Sequence, residues 1–193
     1  MRRIVVGVDG STDADAALRW AVSEAGLHEA TLAALLAWSY LDQHHTSKAE
    51  AFDPAYGEDD ARETLLAALE RVGAADSVEP LVVCDLPDRA LLDAGRDADL
   101  LVVGARGHGG FAGLLLGSVS ERVLEHAPCP VALVRLEDSG SPDRPVVVGT
   151  DGSDTGATAL RWAAAEARAR RSRLQVVHAW QLPYANTPNI THR

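Results

Sequence analysis

The chain has 193 residues, 47% of them hydrophobic and 24% charged, and carries a formal net charge of −10. That composition provides for a sizeable apolar core, and no apolar run approaches the ~20 residues a membrane-spanning helix needs. The acidic balance also argues against a nucleic-acid partner, whose binding depends on a basic surface that releases counterions.

The first element follows almost at once. After Arg2 and Arg3, the apolar run Ile4–Val8 is broken by Asp9. It is shorter than the roughly 7–15-residue core of a secretory signal, so it reads as a buried strand and a cytoplasmic location is expected. Ala17, Leu18, Ala21, Val22 and Ala25 then recur at helical spacing and predict a helix from Asp13 to Gly26. Thr31–Trp38 is a second strand, and Leu41–Gly57 lacks apolar periodicity and reads as a loop. Glu58–Val72 is an amphipathic helix, Val78–Val83 a third strand closed by Asp85-Leu-Pro87, and Arg89–Asp97 a short helix. Asp99–Gly104 is a fourth strand, Ser118–His126 a helix and Pro130–Arg135 a fifth strand. Strands alternating with helices call for an α/β parallel sheet covered on both faces, with ligands bound beyond the carboxyl ends of its strands. Cys84 and Cys129 lie far apart beside apolar segments, without a CxxC pattern, and are expected to be buried free thiols.

A long-period repeat organises the chain. The segment IVVGVDGS at 4–11 returns as VVVGTDGS at 146–153, ALRWA at 17–21 returns at 159–163, and Ala37-Trp38 returns as Ala179-Trp180. All three share one offset without a gap, and that offset is the length of a whole domain. The expected organisation is a complete domain over 1–136, a polar Gly/Pro-bearing linker over 137–145, and a second copy cut short over 146–193. The second copy would supply one βαβ unit, carrying Asp151 as the counterpart of Asp9 but no counterpart of the loop after the fourth strand, so one nucleotide per chain is expected.

That loop carries the chemistry. Gly104, Gly107 and Gly117 punctuate the run from the fourth strand to Ser118, where a helix begins. Glycines let a backbone approach a ligand closely, and unpaired N–H groups at a helix start favour phosphate. The Ser118-x-x-Glu121 pattern fits a capping box, with Ser118 as the cap. No Gly-Lys pair exists, so a P-loop is excluded, and neither G-x-G-x-x-G after the first strand nor G-x-S-x-G is present. Asp42, His44, His45 and Asp53 match no metal-ligand spacing and read as solvated loop residues. Core packing is expected for Trp20, Trp38, Trp162 and Trp180, Trp38 alternatively bordering an adenine pocket. Leu114–Leu116 either close over a nucleotide or fold back on the sheet.

Gly, two residues, Gly, nine residues, Gly-Ser is the arrangement at 104, 107, 117 and 118, flanked by VGVDGS at 6–11, GSVS at 117–120 and CPV at 129–131. In these features the sequence resembles the ATP-binding members of the universal stress protein family, over roughly 3–136 and again from 145. It departs from them at Cys84-Asp-Leu-Pro87, a peripheral turn where the family commonly has a glycine two residues before the proline. The resemblance implies an open doubly wound sheet of five parallel strands in order 3-2-1-4-5, with helices on both faces. It implies ATP as ligand, with Asp9 facing it through Mg²⁺ or through polar contacts to ribose and phosphates. Gly7, Ala37 and Val103 would approach adenine or ribose through backbone atoms, and Gly104, Arg106, Gly107, Gly117, Ser118 and Val119 would hold ribose and phosphates. Arg106 is either a bidentate phosphate contact or a solvated loop arginine, and His108 is expected to be exposed. The resemblance further implies a homodimer through the edge strand at Val131–Val134. The expected function is an ATP-binding stress-response regulator with an unidentified protein partner. The alternatives are a slow ATPase or phosphoryl-transfer enzyme, for which no water-positioning base is evident, and a scaffold that has lost its ligand.

Overall fold

The computed structural model describes residues 1–39, 56–107, 116–136 and 144–179, and the chain divides into two compact units, Met1–Ser139 and Gly140–Arg193. The first unit contains β1 (Arg3–Gly7), α1 (Thr12–His28), β2 (Thr31–Trp38), α2 (Glu58–Arg71), β3 (Glu79–Cys84), α3 (Pro87–Ala94), β4 (Leu100–Gly104), α4 (Ser118–His126) and β5 (Val131–Val134). The strands form one parallel sheet in the order β3-β2-β1-β4-β5, the expected doubly wound arrangement. Register places Val6 beside both Ala34 and Val102, so β1 sits at the centre.

Alternation along β1 and β2 feeds two cores. Ile4, Val6, Leu32, Ala34 and Leu36 pack with Ala17, Leu18, Leu65 and Leu69 of α1 and α2. Val5, Ala33, Leu35 and Ala37 pack on the other face with Ala90 and Leu91 of α3 and Val123 of α4. Burying each of these larger aliphatic side chains contributes on the order of 1.5–3 kcal/mol, which is why a β-branched and Leu/Ala-rich run folds as a strand covered on both sides. Asp15 on α1 takes two hydrogen bonds from the Arg71 guanidinium of α2, at 3.0 and 2.9 Å, and this bonding raises the Arg71 pKa. At the amino ends of the strands, the Asp99 carboxylate accepts the Arg2 and Arg3 N–H groups, and these bonds lower its pKa.

Several expected boundaries move. Helix α3 begins at Pro87 rather than Arg89, because a proline at the first helical position gives up an N–H that has no intrahelical acceptor. Cys84 is exposed, not buried, since β3 is an outer strand and Cys84 is its last residue; Cys129 is half-buried, and burial raises its thiol pKa. Trp38 is core, 7% exposed, and meets Tyr56 edge-on at 6.3 Å between ring centroids. Trp20 packs against the same core half-buried, whereas its repeat counterpart Trp162 is 43% exposed. Trp180, the linker residues 137–143 and Asp42, His44, His45 and Asp53 lie outside the described residues.

The second unit contains β6 (Val146–Thr150), α5 (Asp154–Ala169) and β7 (Leu174–His178). The strands pair in parallel, Val148 beside Val176, completing the expected βαβ unit. Val147 and Val177 remain exposed, at 57% and 44%.

Candidate nucleotide site

The carboxyl ends of β1 and β4 are adjacent, because β1 pairs with β4 directly. The turn after β1 is set locally. Gly10 takes φ 82°, a conformation that disfavours side chains, and Ser11 caps α1 by accepting the Ala14 N–H at 3.2 Å. Asp9 closes this turn by accepting the Ser11 N–H on Oδ1 at 2.9 Å. Its other oxygen, Oδ2, faces Gly107: a Cβ on Gly107 would stand 2.4 Å from it. Glycine at 107 is therefore what lets the loop after β4 lie against the Asp9 carboxylate.

The other two loop glycines have different reasons. A Cβ on Gly104 would meet the backbone of Asp13 at 2.8 Å, so β4 ends directly against the first turn of α1. Gly117 stands where the loop returns: its N–H donates to the Ala105 carbonyl at 2.9 Å, and its Cα side faces Arg106 Cα and Gly107 N. Three glycines thus bring Asp9, Arg106, Gly107 and the start of α4 into one small region. Arg106, Gly107 and Ser118 are exposed there, and Gly117 and Val119 are half-buried.

Helix α4 is capped differently from the sequence expectation. Gly117, in an extended conformation (φ −80°, ψ 154°), is the N-cap, and Ser118 is the first helical residue. With Gly117 at the cap position, the N-cap has no side chain to accept a first-turn N–H. By contrast α1 is capped by Ser11 and α5 by Ser153. The helix is held by Val123, which is fully buried, by a 2.7 Å ion pair from Arg122 to Asp88 on α3, and by the buried Ser120 hydroxyl, which donates to the Gly104 carbonyl at 2.7 Å. Ser120 had no role assigned from sequence, since a serine in a first helical turn ordinarily bonds locally.

The remaining expected site residues are inward-facing. Gly7 lies at the end of β1, where a Cβ would come 3.2 Å from both Leu91 methyl carbons, and Ala37 and Val103 belong to the core on that same face. Their backbones, not their side chains, are what the open end of the sheet offers. His108, Leu114 and Leu115 lie outside the described residues.

Comparison with known proteins places this architecture. The profile of the Universal stress protein family matches residues 1–135 and 143–189, and the chain belongs to that family. Universal stress protein Rv2623 of Mycobacterium tuberculosis is 36% identical over 188 residues, covering 92% of this chain and 63% of its own length. The chain thus spans less than two thirds of the length of the curated relatives it matches. Among solved structures, UspA from Lactobacillus plantarum superposes with a TM-score of 0.55 at 26% identity, covering 69% of this chain and 97% of that one. A universal stress protein solved in complex with cAMP gives 0.51 at 28% identity, covering 69% of this chain and 96% of that one.

Proposed function

We propose that residues 1–136 form an ATP-binding regulatory domain, which changes its conformation or its partner when occupied rather than turning substrate over rapidly. The observation that carries this reading is the start of α4, capped by a glycine without a side chain, beside Asp9 and Gly107. First-turn N–H groups without a side-chain acceptor attract phosphate oxygens, and the glycines leave room for them. The solved relative in complex with cAMP supports a nucleotide as the ligand class.

In this reading Gly107, Ser118 and Val119 present backbone groups to the phosphates, Gly117, whose own N–H is held by the Ala105 carbonyl, leaves room for them, and Arg106, exposed on the loop, pairs with them from the side. Gly104 sets the base of the loop. Gly7, Ala37 and Val103 border adenine and ribose through their backbones. Asp9 carries the same sign of charge as a phosphate, so it would hold a Mg²⁺ that supplies charge neutralisation; Asp9 itself is held by accepting the Ser11 N–H. The domain limits we adopt are 1–136, a linker over 137–145 and a partial copy over 146–193. We place the protein in the cytoplasm and assign a homodimer through β5, an outer strand whose free edge can pair with its own copy. A monomeric mass by light scattering at micromolar concentration would refute that dimer.

The site is tested by thermal unfolding with and without Mg-ATP in wild type and Gly117→Asp. Aspartate is a good N-cap, so the variant should be no less stable than wild type without nucleotide. Wild type should gain about 2.7 kcal/mol when ATP reaches ~100 times its Kd, and the variant should gain nothing, because a carboxylate then occupies the phosphate position. No gain in wild type, or an equal gain in both, sinks the assignment. Multiple turnovers of ATP abolished by Asp9→Ala would replace the switch with an enzyme.

A further inference from the structure

We infer that Ser120 is a positioning residue for the nucleotide site: its hydroxyl, with the Gly117 N–H, latches the end of β4 to the start of α4 before any ligand arrives. This rests on the proposal that the loop holds a nucleotide, and it adds a residue outside the set expected to touch it.

The latch has two rungs. At the outer one, Gly117 N–H donates to the Ala105 carbonyl at 2.9 Å. At the inner one, the Ser120 hydroxyl donates to the Gly104 carbonyl at 2.7 Å, across 16 residues of chain. Ser120 is 6% exposed, so the inner rung is shielded from competing water. Between them the rungs join the last residue of β4 and its successor to the cap and first turn of α4.

The β4 side of the latch is itself immobilised. Gly104 lies so close to α1 that a Cβ there would be 2.8 Å from the Asp13 carbonyl carbon and 2.9 Å from its oxygen. One residue therefore meets the start of α1 through its Cα and the start of α4 through its carbonyl. The first-turn N–H groups of α4 are consequently fixed relative to Asp9, which sits in the turn leading into α1. A site whose donors are already aimed avoids an ordering cost on binding. Arg122 to Asp88 cannot substitute for this. That ion pair fixes α4 against α3, on an arginine that is 64% exposed, and leaves the end of β4 untouched.

The test uses the full chain with Ser120→Thr, which keeps the hydroxyl and adds a methyl, and Ser120→Val, which has the shape of the threonine variant with a methyl in place of its hydroxyl. Two readouts are taken: hydrogen exchange of the Gly117 amide without nucleotide, and the Kd for Mg-ATP by titration. Ser120→Thr should match wild type in both. Ser120→Val should lose about five- to tenfold in Gly117 protection and a similar factor in affinity, the scale of one net hydrogen bond. Wild-type protection and affinity in Ser120→Val would overturn the inference. So would an equal loss of protection across β1 to β5, which would make Ser120 a general packing residue. If wild type binds no ATP, the nucleotide reading fails by itself, and the Gly117 amide still decides whether the latch exists.

Discussion

The turn after β1 and the turn after β6 are nearly the same peptide, and they are built alike. Gly10 and Gly152 take φ of 82° and 83°, and Ser11 and Ser153 cap the following helices in the same extended conformation. Their surroundings diverge. Val5 is fully buried between α3, α4 and the neighbouring strands, whereas its counterpart Val147 is 57% exposed. A Cβ on Gly7 would press on Leu91, but one on Gly149 would meet nothing within 4 Å. Asp9 lies against Gly107, while Asp151 turns inward on its own loop, taking both the N–H and the hydroxyl of Ser153 at 2.9 and 2.6 Å. Local sequence decides the shape of the turn. What packs around it decides whether the strand is core and what the carboxylate faces.

The largest test of that contrast is a buried charge. Val5→Asp should cost at least about 4 kcal/mol and abolish cooperative unfolding, whereas Val147→Asp should stay within about 0.5 kcal/mol, as read by circular dichroism melts. Comparable losses at both positions would mean that the exposed face of β6 and β7 is covered in solution. A gentler probe adds one methyl to each glycine. Gly7→Ala should destabilise by about 1 kcal/mol in denaturant unfolding, since Leu91 must shift within a packed face. Gly149→Ala should be neutral or stabilise by about 0.5 kcal/mol, chiefly by restricting the unfolded chain.

The smallest effect is electrostatic. Hydrogen bonds from Ser153, its hydroxyl first, hold the Asp151 pKa below the ordinary carboxylate value. A depressed folded pKa contributes stability above the unfolded value of about 3.9 and loses it as pH falls through the lower folded value. Ser153→Ala should move the Asp151 titration upward in a carboxyl NMR experiment and narrow that acid window. An unmoved midpoint would assign the shift to the remaining contributors, among them the nearby His178.

Much of the fold was legible because apolar runs and turn residues agree with each other. Thr31–Trp38 and Ser118–His126 fall where periodicity and flanking glycines place them. The family could be recognised from the glycine spacing at 104, 107 and 117 together with VGVDGS at 6–11, and the strand order is what that resemblance implied. What could not be read depends on contacts distant in the chain. Nothing near Gly104 tells that Asp13 occupies the space beside it, and nothing near Gly107 tells of Asp9. Ser118 looks like a cap because Glu121 follows three residues later, yet the helix starts one residue earlier than that pattern supposes, with Gly117 as the cap. Cys84 looks buried from its apolar neighbours Leu81–Val83, and only the strand order shows that β3 is at the rim. Ser120 appeared in the GSVS run without a role, because its acceptor, the Gly104 carbonyl, lies at the end of β4, 16 residues earlier.

The central place of β1 has a consequence for biosynthesis. Ile4 is made before both of its neighbours in the sheet, Leu32 and Leu100, which follow at very different times. During translation, one side of this apolar strand can be covered by β2 soon after it leaves the ribosome. The other stays open until β4 emerges, several seconds later at about 5–20 residues per second. The nascent chain therefore passes through a period in which its central strand has a free edge, and the glycine loop is completed only after that edge is closed.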